Sequence, residues 1–378
     1  IRRPPRSTLS SSSAASDVYK RQKYNVEILD AIQEDFGNRD YKAGFISEIM
    51  STIGSINHAK ENVRKWMKDE KRKSNPSQPF AIRTVMSLFG AKSWIKYQPL
   101  GTVGVISPWN FPINLVLSPL GTIFAAGNRV MIKPSEFTPA TSDLTEKMFK
   151  EFFDPSEAAV FTGGPDVAAA FSALPFDHLL FTGSTQTGKL VMKSASENLV
   201  PVTLELGGKS PVIVDENADL KNTATKVMRG KTMNAGQICL APDYVMVPKG
   251  KSEDFVKESE NAVKSMYENL KYNQSYTSVI NEKHYDRLNS LIEDAKEKGA
   301  DIRVINPADE DFSQQEVHKI PPTLVLNPTD DMDIMKEEIF GPLLPVKEYD
   351  DFQETIGCLL YTSPSPRDRQ KSRMPSSA

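Results

Sequence analysis

The chain has 378 residues, of which 46 are Lys or Arg and 49 are Asp or Glu, so its formal net charge is −3. Its longest apolar stretches are interrupted by Pro and Gly, which excludes a membrane-spanning helix by length, and we expect a cytoplasmic protein. The length exceeds that of a usual single domain and predicts two domains.

The two ends differ in composition from the rest of the chain. Residues 1–22 are rich in Arg and Ser and imitate a transit peptide, and residues 358–378 are basic and rich in Ser and Pro. Codons for DVYKRQ, residues 17–22, can encode CLLYTS, residues 358–363, when they are read as their reverse complement. Both ends also resemble translated sequencing adapters. We therefore expect two non-native, disordered tails around a native fragment, 23–357, that is truncated at both ends.

Setting these tails aside changes the charge and the cysteine count. They hold nine of the 46 basic residues and two of the 49 acidic ones, so the remainder carries a net charge of −10. An acidic segment gives no reason to expect a nucleic-acid partner. Cys239 becomes the one native cysteine, which excludes an internal disulfide and a thiolate-rich metal site, and we expect no metal.

The first half of the native segment is predicted to change from helices to a hairpin and then to a buried strand. Apolar side chains recur at helical spacing over 23–75, with a stop at Gly37, and predict a solvated outer layer of helices. Alternating apolar residues around Gly90 predict a β-hairpin at about 82–100, and a buried strand is expected at 102–106.

Strand and helix patterns alternate from there on. RVMIK (129–133), DHLLFTG (177–183) and SPVIV (210–214) read as strands separated by helical segments, which predicts a parallel sheet with covered faces. We place the domain boundary between 23–204 and 205–357.

Two motifs have the composition of ligand-binding turns. In LLFTGSTQTG, a buried strand meets Gly183, Ser184 and Gly188 before a helix, an arrangement that favours an anion at the helix N-terminus. In MIKPSEFTP, Lys133 and Glu136 follow a strand, where they can bond ribose hydroxyls. A structural turn and exposed turn charges are the respective alternatives.

Three further motifs carry groups suited to catalysis. Glu205 in VTLELGGKSP lies among apolar residues, which would raise its pKa and suit a general base. Cys239 in NAGQICLAP would be activated by backbone amides and a nearby helix N-terminus. Asn110 in SPWNFP can donate to an oxyanion. The alternatives are a solvated glutamate, a buried structural cysteine and a turn-forming asparagine. EEIFGP, with Glu338 and Phe340, reads alone as a plain loop.

Together and in this order, SPWNFP, IKPSE, FTGSTQTG, LELGGKSP, GQIC and EEIFGP resemble the aldehyde dehydrogenase superfamily over 23–357. MNAGQICLAPDYV and AAGNRVMIKPSEFTPATS are most similar to its coniferyl aldehyde dehydrogenase branch, near the class-3-like enzymes. The resemblance implies an α/β fold with a Rossmann-type parallel-sheet cofactor domain, an α/β catalytic domain and a β-hairpin for oligomerisation, in a parent that is a homodimer.

The resemblance also implies roles for single residues. Cys239 would be the nucleophile that attacks the aldehyde carbon, Asn110 and the Cys239 backbone N–H would hold the oxyanion, and Glu205 would activate the water that hydrolyses the thioester. NAD would be bound by a larger set, with NADP as the other possibility: Ser107, Trp109, Lys133, Glu136, Gly183, Ser184, Gly188, Leu206, Glu338 and Phe340.

The implied reaction is NAD(P)-dependent oxidation of an aldehyde to its carboxylic acid, with an aromatic aldehyde as one substrate class. Because Glu136 would repel a 2′-phosphate, NAD is favoured over NADP. An acylating enzyme that passes the thioester to coenzyme A is an alternative, against which the presence of Glu205 argues. A cofactor-binding fragment that truncation has made inactive is another.

Overall fold

The computed structural model describes residues 11–72 and 80–362. The chain divides into two compact units, Ile1–Leu206 and Gly207–Ala378, close to the boundary placed between 204 and 205.

The first unit begins with helices, as predicted. One side of the first helix is buried through Tyr24, Ile28, Ile32 and Phe36, whereas Val26 on the other side is exposed. The helix ends just before Gly37, whose φ of 68° is a left-handed conformation that glycine adopts without strain. The segments are α1 (Ser11–Phe36), α2 (Tyr41–Gly44), a π-helix (Phe45–Met50) and α3 (Ser51–Trp66).

The predicted hairpin at 82–100 is wrong. The chain forms β1 (Glu70–Arg72), then α4 (Phe80–Leu88) and β2 (Ser93–Ile95), and the two strands pair antiparallel with Lys71 opposite Trp94. The apolar residues before Gly90 fit a helical period as well as a strand period, and in the structure they form the helix α4. Leu88 and Phe89 are 81% and 89% exposed.

A parallel sheet forms the core of the first unit and confirms the strand predictions for this part of the chain. Its strands lie in the order β5-β4-β3-β6-β7, so the direction of winding reverses between β3 and β6. This order is that of a Rossmann-type sheet. The elements are β3 (Thr102–Ile106), α5 (Asn114–Ala125), β4 (Arg129–Lys133), α6 (Pro139–Phe152), β5 (Ala158–Val160), α7 (Pro165–Ser172), β6 (His178–Gly183), α8 (Thr185–Ser196) and β7 (Val202–Leu206).

The second unit is a second α/β layer structure. Its sheet has the order β10-β11-β12-β9-β8 and is parallel except between β10 and β11. Leu324 and Val325, neighbours on one strand, belong to two separate apolar clusters, so both faces of the sheet are covered. The elements are β8 (Pro211–Ile213), α9 (Leu220–Thr232), a 3-10 helix (Met233–Gly236), β9 (Tyr244–Pro248), α10 (Ser252–Met266), α11 (Glu282–Glu297), β10 (Asp301–Val304), β11 (Thr323–Leu326), α12 (Asp333–Lys336), β12 (Leu343–Tyr349) and α13 (Phe352–Thr362).

The expected tails differ from the structure where it describes them. Residues 11–22 belong to α1, and α13 runs past Gly357 to Thr362. Extending a formed helix adds one hydrogen bond for each residue ordered, so polar residues at helix ends readily continue it. Residues 1–10 and 363–378 lie outside the described residues, and there the expectation of disorder stays a prediction.

The described residues contain neither a membrane-spanning helix nor a cluster of metal-ligating side chains. None of the helices described here is long and apolar enough to cross a membrane. Within 11–72 and 80–362, no three or more His, Cys, Asp or Glu side chains are grouped so that they could hold a metal ion.

Candidate functional site

The candidate residues of the first unit collect where its parallel strands end. Ser107 follows β3, Lys133 ends β4, Gly183 ends β6 and Leu206 ends β7. The Ser107 N–H donates to the Lys133 carbonyl at 3.1 Å, which joins the first two of these ends. The structure therefore brings the motifs of the first unit together at one edge of the sheet, the edge at which open α/β sheets bind ligands.

The loop after β3 carries Ser107, Trp109 and Asn110. Ser107 is buried, and its Oγ has no hydrogen-bond partner among the described residues. The Asn110 side chain is 4% exposed, and the Trp109 ring lies 6.3 Å from the Phe36 ring, centroid to centroid. A buried hydroxyl without a partner is costly, so Ser107 is suited to bond a ligand atom.

Lys133 and Glu136 form a pair beside this loop. Lys133 is buried, and its Nζ donates to the Pro134 carbonyl at 2.9 Å and to Glu136 Oε2 at 3.0 Å. Glu136 is one-third exposed. The pair is therefore fixed to the sheet at the lysine and accessible to a ligand at the carboxylate.

The turn after β6 has the predicted strand-turn-helix geometry. Ser184 is the N-cap of α8, and its Oγ accepts the Thr187 N–H at 3.2 Å. A Cβ built on Gly188 would lie 2.9 Å from Leu206 Cδ2, so glycine allows the helix to approach β7 closely. The start of α8, where the partial positive charge of the helix dipole lies, is suited to an anionic group.

Glu205 lies on the edge strand β7 but not in the apolar surroundings expected for it. Burial alternates along β7, with Val202, Leu204 and Leu206 packed on the core and Thr203 and Glu205 exposed. Because side chains of a strand alternate between faces, the apolar neighbours in sequence point away from Glu205. The expectation of apolar enclosure is therefore wrong, and Glu205 is an accessible carboxylate.

In the second unit, Cys239 lies on a loop with unusual backbone conformations. Asn234, Ala235 and Gly236 have φ of 50°, 52° and 72° in succession, and Cys239 comes shortly after them as an exposed thiol. A Cβ on Gly236 would lie 2.3 Å from the Gly341 carbonyl oxygen, so glycine is required there. The next element along the chain is the strand β9, so the nearby helix N-terminus expected to activate Cys239 stays a prediction. Non-glycine residues in this conformation cost free energy and are concentrated at functional sites.

Gln237 holds the Cys239 loop from within. It is fully buried, and its Nε2 donates to the carbonyls of Asn234 at 2.9 Å and Ser278 at 3.0 Å. Its Oε1 accepts the Ile280 N–H at 3.0 Å. One amide thus satisfies three backbone groups of two chain segments and fixes the loop that presents the thiol.

Glu338 and Phe340 lie on a loop that contacts the first residues of the second unit, Gly207 and Gly208. A Cβ on Gly207 would lie 1.9 Å from Glu338 Oε2, so the carboxylate lies against the backbone of the Gly-Gly pair. Burial raises the pKa of Glu338 and Asp243 adds to the rise, while the Gly208 N–H, Arg287 and Lys209 oppose it. Phe340 has a φ of 48°.

Three charged residues that brace these loops were missed from the sequence. Lys209 Nζ bonds Asp243 at 3.0 Å and the carbonyls of Ile334 and Glu337 at 2.9 Å. Arg287 donates to the carbonyls of Glu338 and Ile339. Lys209 and Asp243 both lie within motifs quoted above, and their opposite charges could have suggested an ion pair between these motifs. Arg287 lies on a distant helix, and nothing in the sequence around it pointed to this role.

The residues present fit a dinucleotide. The first unit offers the Rossmann strand order, a helix start after a Gly-Ser turn, an accessible carboxylate at Glu136 and the unpartnered Ser107 hydroxyl. These are the groups that pyrophosphate and ribose require.

The family model of the aldehyde dehydrogenases matches residues 17–359. The chain belongs to the aldehyde dehydrogenase family. It is 55% identical over 333 residues to a probable coniferyl aldehyde dehydrogenase of Caulobacter vibrioides, covering 88% of this chain and 67% of that protein. It is 48% identical over 330 residues to a coniferyl aldehyde dehydrogenase of a Pseudomonas species, covering 87% and 66%. The chain thus spans about two thirds of the length of these relatives.

Solved structures agree with this assignment. A substrate-bound Staphylococcus aureus AldH matches with a TM-score of 0.82 and 37% identity, over 93% of this chain and 72% of that one. The NAD+ complex of a Bacillus cereus aldehyde dehydrogenase matches with a TM-score of 0.78 and 27% identity, over 94% and 70%. The predicted family and fold are confirmed, and the matches support the oxidoreductase class and an NAD(P) cofactor.

Proposed function

We propose that the protein oxidises an aldehyde to its carboxylic acid with NAD, and that Cys239 is the nucleophile. The observation that carries the proposal is the exposed Cys239 thiol at the end of a left-handed loop fixed by the buried Gln237. A buried structural cysteine, the alternative for this residue, would not be exposed in this way.

The steps follow from the groups on the chain. The Cys239 thiol loses its proton to solvent, and the sulfur bonds to the aldehyde carbon. The negative charge that passes to the aldehyde oxygen is held by the Asn110 amide and the Cys239 N–H. NAD, when bound, accepts a hydride. Loss of hydride from the substrate carbon leaves an acyl thioester on Cys239. Glu205 takes a proton from the water that attacks this thioester, and the acid leaves as the thiol is restored.

The cofactor residues have separate tasks in this proposal. Lys133 and Glu136 would bind the adenosine ribose, the Ser184 turn the pyrophosphate, and Glu338 the nicotinamide ribose. Ser107, Trp109, Gly183, Gly188, Leu206 and Phe340 would line the remainder of the cofactor surface.

We favour NAD over NADP because the Glu136 side chain is one-third exposed. A 2′-phosphate beside that carboxylate would be repelled. The ratio of kcat/KM for NAD to that for NADP tests this preference. It should fall in Glu136→Gln, and an unchanged ratio would remove Glu136 from the assignment.

The substrate class we propose is an aromatic aldehyde such as coniferyl aldehyde. The names of the two bacterial relatives at 55% and 48% identity support it. The test is NADH formation with coniferyl aldehyde and with aliphatic aldehydes of similar size. A preference for the aliphatic compounds would contradict this part of the proposal.

The acylating alternative is tested in the same assay. Coenzyme A should neither speed NADH formation nor appear as an acyl ester, because Glu205 supplies a base for hydrolysis. Formation of acyl-coenzyme A in place of the acid would replace the proposed reaction with the acylating one.

We also propose a homodimer in the cytoplasm. The exposed Leu88 and Phe89 support the dimer, since large apolar side chains of this exposure are commonly covered by a partner. Sedimentation of the protein and of a Leu88→Ser, Phe89→Ser variant tests the dimer, and cell fractionation tests the location.

A further inference from the structure

A buried carboxylate from the N-terminal helices reaches the loop that carries Asn110. Glu48 lies in the π-helix Phe45–Met50 and is 0% exposed. Its Oε2 accepts the N–H groups of Ile113 at 3.2 Å and Asn114 at 2.8 Å. Ile113 is the N-cap position of α5 and offers no capping side chain. Glu48 therefore caps α5 from a segment more than 60 residues away in sequence.

Arg39 forms an ion pair with this carboxylate and also contacts the same loop. Its Nη2 lies 2.9 Å from Glu48 Oε1. The guanidinium carbon lies 4.7 Å from the centre of the Phe36 ring and 5.0 Å from that of Phe111, so it contacts both aromatic rings. Phe111 directly follows Asn110, so the loop is held immediately after Asn110 and again at the start of α5.

A buried ion pair does not by itself account for this arrangement. The desolvation of two charges commonly offsets their attraction, and an apolar pair of the same volume is often as stable. Burial raises the pKa of Glu48, with Arg39 and the two backbone N–H groups opposing the rise. The pair instead fixes the position of the loop. The Glu48 carboxylate holds two backbone N–H groups, and the planar Arg39 cation holds the Phe111 ring.

We propose that Glu48, together with Arg39, is a positioning residue for Asn110, holding its loop so that the amide meets the oxyanion of the bound aldehyde. The inference rests on the proposed function, in which Asn110 is an oxyanion donor. A small displacement of such a donor has a large effect on rate, since about 1 Å of misplacement can cost about 100-fold.

The chain supplies a matched control in Asp35. Its two carboxylate oxygens accept the N–H groups of Ala140 and Thr141, each at 2.9 Å, and so cap α6 as Glu48 caps α5. Both are carboxylates of the N-terminal helices that cap a helix of the same unit. They differ in the loop served, because α6 follows the Lys133–Glu136 turn rather than Asn110.

The kinetic test is a double-mutant cycle between Glu48 and Asn110, with NADH formation as the readout. Asn110→Ala should lower kcat about 100-fold or more. Glu48→Gln should lower kcat about 10-fold to 100-fold, but should have little further effect in the Asn110→Ala background. Asp35→Asn should change kcat less than about twofold and should instead change the KM for NAD.

The outcomes separate the two proposals. If Asn110→Ala leaves kcat unchanged, the oxyanion role fails before Glu48 is considered. If Asn110→Ala lowers kcat and Glu48→Gln lowers it by the same factor in both backgrounds, Glu48 acts on the fold alone and the positioning role is overturned. If Glu48→Gln does not fold, Arg39→Met with Glu48→Gln removes both charges at similar volume and takes its place in the cycle.

Hydrogen exchange provides a measurement that does not depend on turnover. In the folded chain, Glu48→Gln should speed exchange at 107–114 and leave 137–145 unchanged, and Asp35→Asn should do the reverse. Equal effects of both variants on both segments, or no effect of Glu48→Gln on 107–114, would overturn the positioning role.

Discussion

The two units present their candidate residues by different means. In the first unit, Ser107, Lys133 and Gly183 lie where parallel strands end, and ordinary strand and helix geometry places them. In the second, Cys239 and Phe340 lie on loops with left-handed backbone, held by the buried Gln237 and the partly buried Arg287. The first arrangement follows from topology, whereas the second depends on individual hydrogen bonds and close contacts. Variants should therefore act through different quantities in the two units.

The largest effect is expected at the thiol of the second unit. Cys239→Ser should lower NADH formation by at least about 10⁴-fold, because a serine hydroxyl stays protonated at neutral pH and is a much weaker nucleophile than a thiolate. Steady-state NADH formation measures it. Cys358, the other exposed thiol of the described chain, is the matched control, and Cys358→Ser should retain full activity. Full activity in Cys239→Ser, as in Cys358→Ser, would show that Cys239 is not the nucleophile.

The next effect is expected at the edge of the first unit. Glu205→Gln should leave a burst of NADH and lower the steady state by about 100-fold, since the base acts after hydride loss. Rapid-mixing measurements separate the two phases. Glu197, an exposed carboxylate at the end of α8, provides the control variant Glu197→Gln. A steady state that Glu205→Gln leaves unchanged would remove this residue as the base.

A smaller effect on rate is expected where the Cys239 loop is anchored. Gln237→Leu removes three hydrogen bonds from a buried site and should lower the free energy of unfolding by about 2–4 kcal/mol and kcat by about 10-fold. Urea unfolding and NADH formation measure these quantities.

Gln315 is the control for this variant within the same unit. Its amide bonds the Lys319 N–H and carbonyl at 2.8 and 2.7 Å, far in sequence from the thiol loop. Gln315→Leu should lower stability with kcat preserved. A loss of kcat as large as that in Gln237→Leu would mean that stability alone, and not the loop, is being measured.

The smallest effect is a dependence of stability on pH at Lys231, which is buried on α9 beside the thiol loop. Burial lowers the pKa of Lys231 from 10.5 to about 8, while Asp243 opposes the change. Between these values the unfolded chain binds a proton that the folded chain lacks, so stability contributed by this group rises with pH. From pH 8 to pH 9 the rise is about 1 kcal/mol.

Comparison with Lys231→Met isolates this contribution. The free energy of unfolding of wild type minus that of Lys231→Met, measured by urea unfolding, should rise by about 1 kcal/mol over that pH step. Lys319, whose pKa is also lowered by burial to about 8, is present in both proteins and cancels. A fall in this value, wild type minus variant, between pH 8 and pH 9 would contradict the lowered pKa of Lys231.

The sequence predicted the strand ends of the first unit, but neither its segment 82–100 nor the surroundings of Glu205, and both outcomes have a physical reason. Strand ends follow from periodicity, so the positions of Lys133 and Gly183 could be predicted locally. The hairpin at 82–100 failed because short apolar runs fit both periods. The prediction of apolar surroundings for Glu205 failed because its neighbours in sequence lie on the opposite face of the strand.

The remaining features depend on contacts between distant segments. The capping of α5 by Glu48 and the approach of Gly236 to Gly341 join residues far apart in sequence, and no local pattern reports them. The identities of Cys239, Glu338 and Phe340 came from the family resemblance rather than from spacing. Their surroundings came only from the structure.

The central claim is that Cys239 carries the substrate as a thioester, and trapping this intermediate tests it most directly. The Glu205→Gln variant is mixed with NAD and coniferyl aldehyde, quenched with acid, and analysed for NADH and for an acyl group by peptide mass spectrometry. We predict about one NADH per chain and the acyl group on the peptide that contains Cys239. A folded chain that binds NAD and forms NADH without an adduct on Cys239, or that forms neither, would contradict the account.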